Sequence, residues 1–492
     1  MLDLVLRTFV FLTCAILDAL KPLQILQQTS YRTREFVCAL KNKPLYVILT
    51  AIFTVLGVIL TLLCIRLAVL FAVVYCAFAV YSYVKNLKKP LVFTKRVSRL
   101  LVAYAVITLG LATLQIFLKQ LFLFVFCPFL TLIIASFTCL PIEKRIAQSF
   151  IKKAEKKLNR VQPTVIAITG SYGKTSLKNA LAHILKSQYK VCASPKSYNT
   201  PMGLARCINE NLREDDEIFI AEAGARYKGD IGEICRFIRP SIAIITAVGN
   251  QHLSTFKTMQ NLYEEKFSLA CDTVKTVFVN VDAVAKIPRF NDNKTVVSSG
   301  KEGNVKYESV IVDKTTQKFV IKGKYKYDIE CSLLADYVPS MLTLAVAVAE
   351  QFQISQKNIK NSIKTLKPIA HRLEILYNDK DVIIDDAYNS NESGFISAIN
   401  LLSTFEDKVK VVITPGVVEL GERQSEVNRN LAIYAYSRAD YLLTYGVNAD
   451  AIKSGAKEKC EVYANLNECM KRYKSIQGER AVLFENDLPD TY

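Results

Sequence analysis

The chain has 492 residues, enough for two or three domains, and a formal charge of +18 from 63 Lys/Arg and 45 Asp/Glu. The excess is local: residues 1–150 hold 16 basic and 4 acidic side chains and 151–160 hold 5 and 1, whereas the remainder holds 42 and 40. A near-neutral remainder leaves no electrostatic footprint for nucleic acid. Thirteen dispersed cysteines, with no Cys-x-x-Cys pair and no histidine at zinc spacing, argue against a disulfide framework or a structural zinc site.

Residues 45–65, 67–84, 100–118 and 121–140 are apolar runs of about the length that crosses a bilayer. Residues 4–20, interrupted by Arg7, form a fifth run; it lacks a small-residue cleavage site and so reads as an uncleaved anchor. Basic residues fill alternate connections, with Lys21 to Lys43 in one, Lys85 to Arg99 in another and Lys144 to Arg160 after the last run. The other turns carry only Arg66 and Lys119. The positive-inside rule then predicts an α-helical membrane region over 1–140 with about five helices, and everything after residue 141 in the cytoplasm. Residues 141–160 read as a basic amphipathic linker lying on the anionic inner leaflet.

After Pro163 the pattern changes. β-type runs at 165–169, 218–221, 242–247 and 276–280 alternate with helical patterns at 174–187, 229–238 and 259–271, the signature of a parallel sheet flanked by helices. A lysine-rich section, 294–330, reads as short antiparallel strands, followed by a helix near 338–352. A second α/β set begins with the strand 381–385 and continues through 396–404, 410–414, 426–438 and 441–445. The expected division is a central domain over 161–368 and a smaller C-terminal α/β domain over 369–492.

Chemistry concentrates at the first of these strands. Val165 to Thr169 is an apolar strand that breaks into Gly170-Ser171-Tyr172-Gly173-Lys174-Thr175-Ser176 and then a helix. Such a turn presents backbone N–H groups and the positive end of a helix to phosphates, with Lys174 reaching the terminal ones and the Thr175 hydroxyl on Mg²⁺. The common form of the motif has a glycine where this chain has Ile168. Two further strands end in polar groups where open α/β sheets bind ligands: Glu222 after Ile218-Phe-Ile-Ala, and Asn250-Gln-His252 after Ile244-Ile-Thr-Ala-Val-Gly. Lys266 follows His252 by fourteen residues on a helix.

From about residue 160 onward these segments resemble the Mur ligases, the ATP-dependent amide-forming enzymes of peptidoglycan precursor synthesis, and most closely the MurF branch that adds D-Ala-D-Ala. The short Gly-x-x-Gly-Lys-Thr loop is the rule in that family. The resemblance implies a central P-loop parallel-sheet domain and a Rossmann-like C-terminal domain. It implies ATP and Mg²⁺, two ions of it, with Gly170, Ser171, Gly173, Lys174, Thr175 and Ser176 on the phosphates, and Thr175, Glu222 and His252 associated with metal. Lys266 corresponds to a lysine carbamylated to supply a carboxylate near the second ion. Asn199, in Ser-Tyr-Asn-Thr-Pro-Met-Gly, faces phosphates and substrate. His371-Arg372-Leu-Glu gives Arg372 an ATP-phosphate role, and Asp385-Asp386-Ala-Tyr388-Asn389 places Asp386, Tyr388 and Asn389 at the nucleotide. Thr414-Pro-Gly-Val-Val-Glu-Leu-Gly421 is similar to a family loop.

Two departures accompany the resemblance. The family's N-terminal domain, which recognises a UDP-sugar, is replaced by the apolar segments, and Asp336-Tyr-Val-Pro-Ser340 lacks the usual asparagines. The expected activity is amide-bond formation through an acyl phosphate, with a small-molecule or lipid-linked cell-wall precursor as carboxylate and an amino acid or dipeptide as amine. Other wall-synthesis proteins are the expected partners, in an integral membrane protein with cytoplasmic ligase domains. Two alternatives remain at this stage: a Mur-type ligase of another branch, and a catalytically silent nucleotide-binding membrane scaffold.

Overall fold

The computed structural model describes residues 16–486 apart from 30, 42, 64, 85–89, 119–127, 196–197, 250–252, 291–292, 314, 379–380, 389–390 and 419. The chain divides into two units, 1–149 and 150–492.

The first unit is helical, with α1 (16–28), α2 (Thr33–Lys41), α3 (Pro44–Leu63), α4 (Ile65–Val84), α5 (Lys95–Leu118) and the start of α6 (Pro128–Val161). Leu23, Leu26, Phe36, Val97, Leu100 and Leu132 form its core. The rings of Phe53 and Phe78 stack at 4.7 Å between α3 and α4. Much of its apolar surface points outward instead, including Leu45, Ile52, Leu70, Val73, Val102 and Phe137.

Five separate spans are not what the described residues display. Among them no single helix is long and apolar enough to cross a membrane, although α2 and Pro44–Phe53, bent by 91°, pass that test together. α5 gives its first residues to Lys95, Arg96 and Arg99, and α6 loses its apolar character from Glu143 onward, which shortens both runs. Most of segment 4–20 and the first part of 121–140 lie outside the described residues. The linker expected at 141–160 is not a separate element either, because α6 continues through Pro141 to Val161. Arg99 and Arg96 pair with Glu143 at 2.6 and 3.7 Å.

The second unit holds three sheets. β1 (Thr164–Thr169), β2 (Val191–Ala193), β3 (Ile218–Glu222), β4 (Ile242–Ile245), β5 (Thr276–Asn280) and β6 (Thr295–Ser299) form an all-parallel sheet in the order β2-β3-β1-β4-β5-β6. Its strands are continuous apolar runs because helices cover both faces. Those helices are α7 (Lys174–Leu185), α8 (Pro201–Asn211), α9 (Asp230–Ile238), α10 (Leu253–Phe256) and α11 (Met259–Phe267). Within 294–330 antiparallel pairing joins β7 (Lys306–Val312), β8 (Gln317–Lys322) and β9 (Lys326–Cys331), so the antiparallel reading of that section fails for β6, which extends the parallel sheet beside β5. α12 (Val338–Gln351) is apolar all round and buried from Val338 to Ala349, as a helix packed on several sides must be. α13 (Gln356–Lys364) follows.

The last sheet orders β10 (Glu374–Asn378), β11 (Asp381–Asp386), β15 (Arg480–Glu485), β12 (Val409–Thr414), β13 (Tyr441–Tyr445) and β14 (Cys460–Tyr463), with only β10 antiparallel. α14 (Glu392–Ser403), α15 (Gln424–Tyr436), α16 (Ala449–Ala456) and α17 (Leu466–Ser475) connect it. The central strand β15 was invisible to the sequence reading. Placing it there sets Glu485 beside Asp386.

Candidate functional site

The turn between β1 and α7 is bounded by two glycines in conformations that other residues adopt only under strain. Gly170 has φ 152° and Gly173 φ 79°. At Gly170 a Cβ would also lie 2.0 Å from Thr246 Oγ1 and 2.9 Å from the Ala247 nitrogen, so the loop is pressed against the end of β4. Ser171 N–H donates to the Ala247 carbonyl at 2.8 Å, the Gly249 N–H donates to Ser171 Oγ at 3.0 Å, and Thr246 Oγ1 donates to the Tyr172 carbonyl. Lys174 Nζ folds over the loop to the carbonyls of Gly170 and Ser171, at 2.6 and 3.3 Å. No side chain caps the N-terminus of α7, which leaves its N–H groups and dipole to an anion.

Thr175 Oγ1 donates to Glu222 Oε2 at 3.0 Å, and Lys178 Nζ reaches the same oxygen at 3.1 Å. Glu222 and Lys178 are 2% and 1% exposed. Asn199 stands over the backbone just beyond Glu222: its carbonyl accepts from the Gly224 N–H at 2.8 Å, and a Cβ at Gly224 would lie 2.7 Å from its side chain. Thr200 caps α8 by accepting from the Gly203 N–H. Lys266, on α11, is buried; burial, then the charge of Lys174, lowers its pKa to about 7, against Glu265 and Asp230. Burial also lowers the pKa of Lys174, which the Glu222 carboxylate opposes and the Arg372 guanidinium reinforces.

Arg372 sits in a turn whose flanking residues, His371 and Leu373, both have positive φ, 61° and 52°. Three contacts hold that turn. Leu373 N–H donates to Asp386 Oδ1 at 3.1 Å, His371 Nδ1 meets Asp385 Oδ2 at 2.8 Å, and the Tyr388 N–H donates to the His371 carbonyl at 3.1 Å. Asp385 is thus more than a strand-end neighbour. The Arg372 guanidinium lies 4.8 Å from the centroid of the Tyr388 ring. Burial pushes Asp386 up to about 7, the Leu373 N–H and Arg372 pull it down, Asp385 raises it, and a hydrogen bond from Glu485 lowers it. The Thr414–Gly421 loop is pinned from below: Asn428 Oδ1 accepts from the Val417 N–H, Asn448 Nδ2 donates to the Pro415 carbonyl and Asn486 Nδ2 to the Gly416 carbonyl.

Between α7 and the Arg372 turn opens a cleft lined by Ser176, Ala180, Leu334, Tyr337, Met341 and Ile369, among others. Tyr337, at 40% exposure, stands at the cleft's edge with Ser176 and Arg372 among its other lining residues.

The geometry therefore assembles Gly170, Ser171, Gly173, Lys174, Thr175, Ser176 and Glu222 around one loop, and the charges of Lys266 and Arg372 are coupled to Lys174. His252 and Asn389 lie outside the described residues. Among the described residues no three His, Cys, Asp or Glu side chains converge as a metal site. A hydroxyl and one carboxylate suit Mg²⁺, which keeps water and takes phosphate oxygens, better than a metal needing a full protein cage. Sequence reading missed Lys178, Tyr337 and Glu485. Only Lys178 carried a signal, its position one helical turn after Lys174.

Residues 168–349 match the Mur ligase middle domain. The UDP-N-acetylmuramoyl-tripeptide--D-alanyl-D-alanine ligase of Bacillus subtilis is 24% identical over 332 residues, covering 65% of this chain and 72% of that protein. The enzyme of the same description from Mycobacterium tuberculosis (strain ATCC 25618 / H37Rv) is 28% identical over 249 residues, 49% of each chain, so this chain spans about half the length of that relative. Among solved structures, MurF from Thermotoga maritima in complex with ADP superposes with a TM-score of 0.62 at 22% identity, covering 70% of this chain and 81% of that one. MurF from Acinetobacter baumannii gives 0.61 at 20%, covering 69% and 78%. Residues 168–349 are thus similar to a Mur ligase middle domain, and the chain carries the Mur ligase α/β fold with its parallel sheet.

Proposed function

We propose that this protein is an ATP-dependent ligase of the MurF type, joining the amine of D-Ala-D-Ala to the terminal carboxylate of a UDP-MurNAc-tripeptide or a close relative of it. The observation that carries the reading is the loop Gly170–Thr175 with Glu222 and Arg372 gathered on it, in a chain whose relatives bear that enzyme's name. A carboxylate acylates poorly. ATP with Mg²⁺ supplies the phosphoryl group that turns it into an acyl phosphate open to attack by an amine.

The chain's own residues neutralise and align charge rather than form covalent bonds. With nucleotide bound, Lys174 and Arg372 would neutralise its phosphates, Thr175 and Glu222 would hold Mg²⁺, and Asn199 would mark the substrate side. The cleft beside Ser176 and Tyr337 is an apolar slot next to the phosphate loop, suited to a purine ring. Lys266 is buried and partly neutral near pH 7, the state in which an amine takes up CO₂ as a carbamate; we assign it that modification, and His252 a place by the metal. The catalytic and binding set comprises 161–368 as the ATP-binding domain and 369–492 as the second domain.

The first unit is part of the proposal. Among the described residues, outward side chains such as Leu45, Ile52, Leu70, Val73, Val102 and Phe137 support a membrane-embedded module with the ligase in the cytoplasm. Such a module precedes the ligase domains in sequence and would tether them to the membrane that carries lipid-linked precursors.

Phosphate release by the purified chain tests the assignment, with UDP-MurNAc-tripeptide or its lipid-linked form as carboxylate and D-Ala-D-Ala as amine. Release that requires ATP and both substrates is expected. Nucleotide binding without release under any pairing would favour the scaffold reading instead, and release with a different carboxylate would move the chain to another branch.

A further inference from the structure

Glu222 is a buried carboxylate at the end of β3, and it already has a cation. Lys178 Nζ lies 3.1 Å from Oε2, the same oxygen that accepts from Thr175 Oγ1 at 3.0 Å, and both ends of the pair are out of solvent. Lys178 follows Lys174 by one turn of α7, so the two ammonium groups approach the carboxylate from the same helix face. Lys174 also feels the Glu222 charge, and the charges of Arg372 and Lys266 are in turn coupled to Lys174. One carboxylate therefore answers to two lysines, with further cations behind them. The carboxylates that act on those further cations are committed to backbone N–H groups: Glu265 accepts from Gly229 and Ile231, Asp230 from Arg226 and Tyr227, and Asp386 from Leu373.

We propose that Lys178 is a built-in counter-ion that keeps the Glu222 position closed to a free divalent cation, so that metal enters only together with a nucleotide. The inference rests on Glu222 being a metal-associated residue. A divalent ion arriving alone must either displace a buried ammonium from its carboxylate or share that carboxylate with it, beside the charge of Lys174. A triphosphate on the loop reverses the sign of that field, and its oxygens complete a coordination shell that Thr175 and Glu222 cannot complete. Metal and nucleotide are then coupled ligands, each raising the affinity for the other by the same factor. Lys178 is a positioning residue in this scheme, not a catalytic one.

Mn²⁺ binding to the full chain, measured by equilibrium dialysis with and without a non-hydrolysable ATP analogue, tests the inference. Wild type is expected to hold Mn²⁺ at least about tenfold more weakly without the analogue, a difference within the usual range of coupled sites. Lys178→Met should bind Mn²⁺ alone about tenfold more tightly than wild type, and Mn²⁺ should raise the unfolding temperature of that variant but not of wild type. Lys178→Met combined with Glu222→Gln should lose both gains. Equal Mn²⁺ affinity of wild type with and without the analogue would overturn the inference, and that comparison needs no variant to fold. If Glu222→Gln leaves nucleotide-dependent Mn²⁺ binding intact, the metal role of Glu222 falls. If Glu222→Gln abolishes it while Lys178→Met gains nothing, the counter-ion role alone falls.

Discussion

At the residue scale the site turns on atoms with no room to move. A methyl group at Gly170 would meet Thr246 Oγ1 at 2.0 Å on a backbone of φ 152°, so Gly170→Ala must reshape the loop. The expected outcome is loss of ATP turnover by about two orders of magnitude and of about 1–3 kcal/mol of stability, read from phosphate release and a denaturant curve. Lys174→Ala removes charge without disturbing the glycines; turnover should fall by roughly two or more orders of magnitude while the unfolding midpoint holds. A folded Lys174→Ala protein with near-normal turnover would remove the loop from the chemistry.

Lys266 carries a pH signature. Its folded-state pKa, about 7, lies below the 10.5 of a free lysine, so the folded chain pays for the charged form. That destabilisation is fully present below about pH 7 and is relieved as pH rises from there toward 10.5. Lys266→Met should therefore stabilise the apo chain more at pH 6 than at pH 9. For the carbamate, bicarbonate dependence of activity should grow as pH rises through about 7, because the neutral amine reacts; Lys266→Ala should be inactive and partly restored by acetate. Activity of Lys266→Ala unaided by any carboxylate is the result that excludes this role.

At the scale of elements, α12 sets the cost of disturbing the middle of the second unit. Leu342 is fully buried in a helix that packs against α7, the sheet strand β5 and the strand β7. Leu342→Ala should cost about 2–5 kcal/mol, measurable as a drop in the unfolding midpoint of the purified chain. Elements with a strong local pattern were legible in the sequence: β1, β3, β5 and α12 are apolar runs whose neighbours force their type. The short β2, the edge strand β10 and β6 were not, because Val191–Ala193 is only three residues long and Thr295–Ser299 is half polar. β15 was missed although it is apolar, since nothing in sequence says that the last strand inserts between β11 and β12. The site followed the same rule. Lys174, Thr175 and Glu222 stand at strand-to-helix junctions that a motif marks, whereas Tyr337 and Glu485 acquire their neighbours only through tertiary pairing.

At the scale of the whole molecule, charge and apolar surface are segregated along the chain. Nearly all the positive excess precedes residue 161, and the outward apolar side chains cluster in the first unit. If that unit is embedded in lipid, alkaline carbonate should leave the protein in the membrane fraction and only detergent should release it, at a recovery unaffected by high salt. Release by salt alone would reduce the attachment to the basic face of α6.

The phosphate loop also has a history in time. Its shape depends on Thr246, Ala247 and Gly249, more than seventy residues further along the chain, and a Cβ at Gly249 would fall 1.3 Å from the Tyr172 hydroxyl. A ribosome that has delivered the whole motif Gly170–Thr175 has therefore not yet delivered the loop's scaffold. Until β4 emerges and docks beside β1, the nascent chain carries the nucleotide motif without a nucleotide site, and it cannot draw on cellular ATP to stabilise a half-made fold.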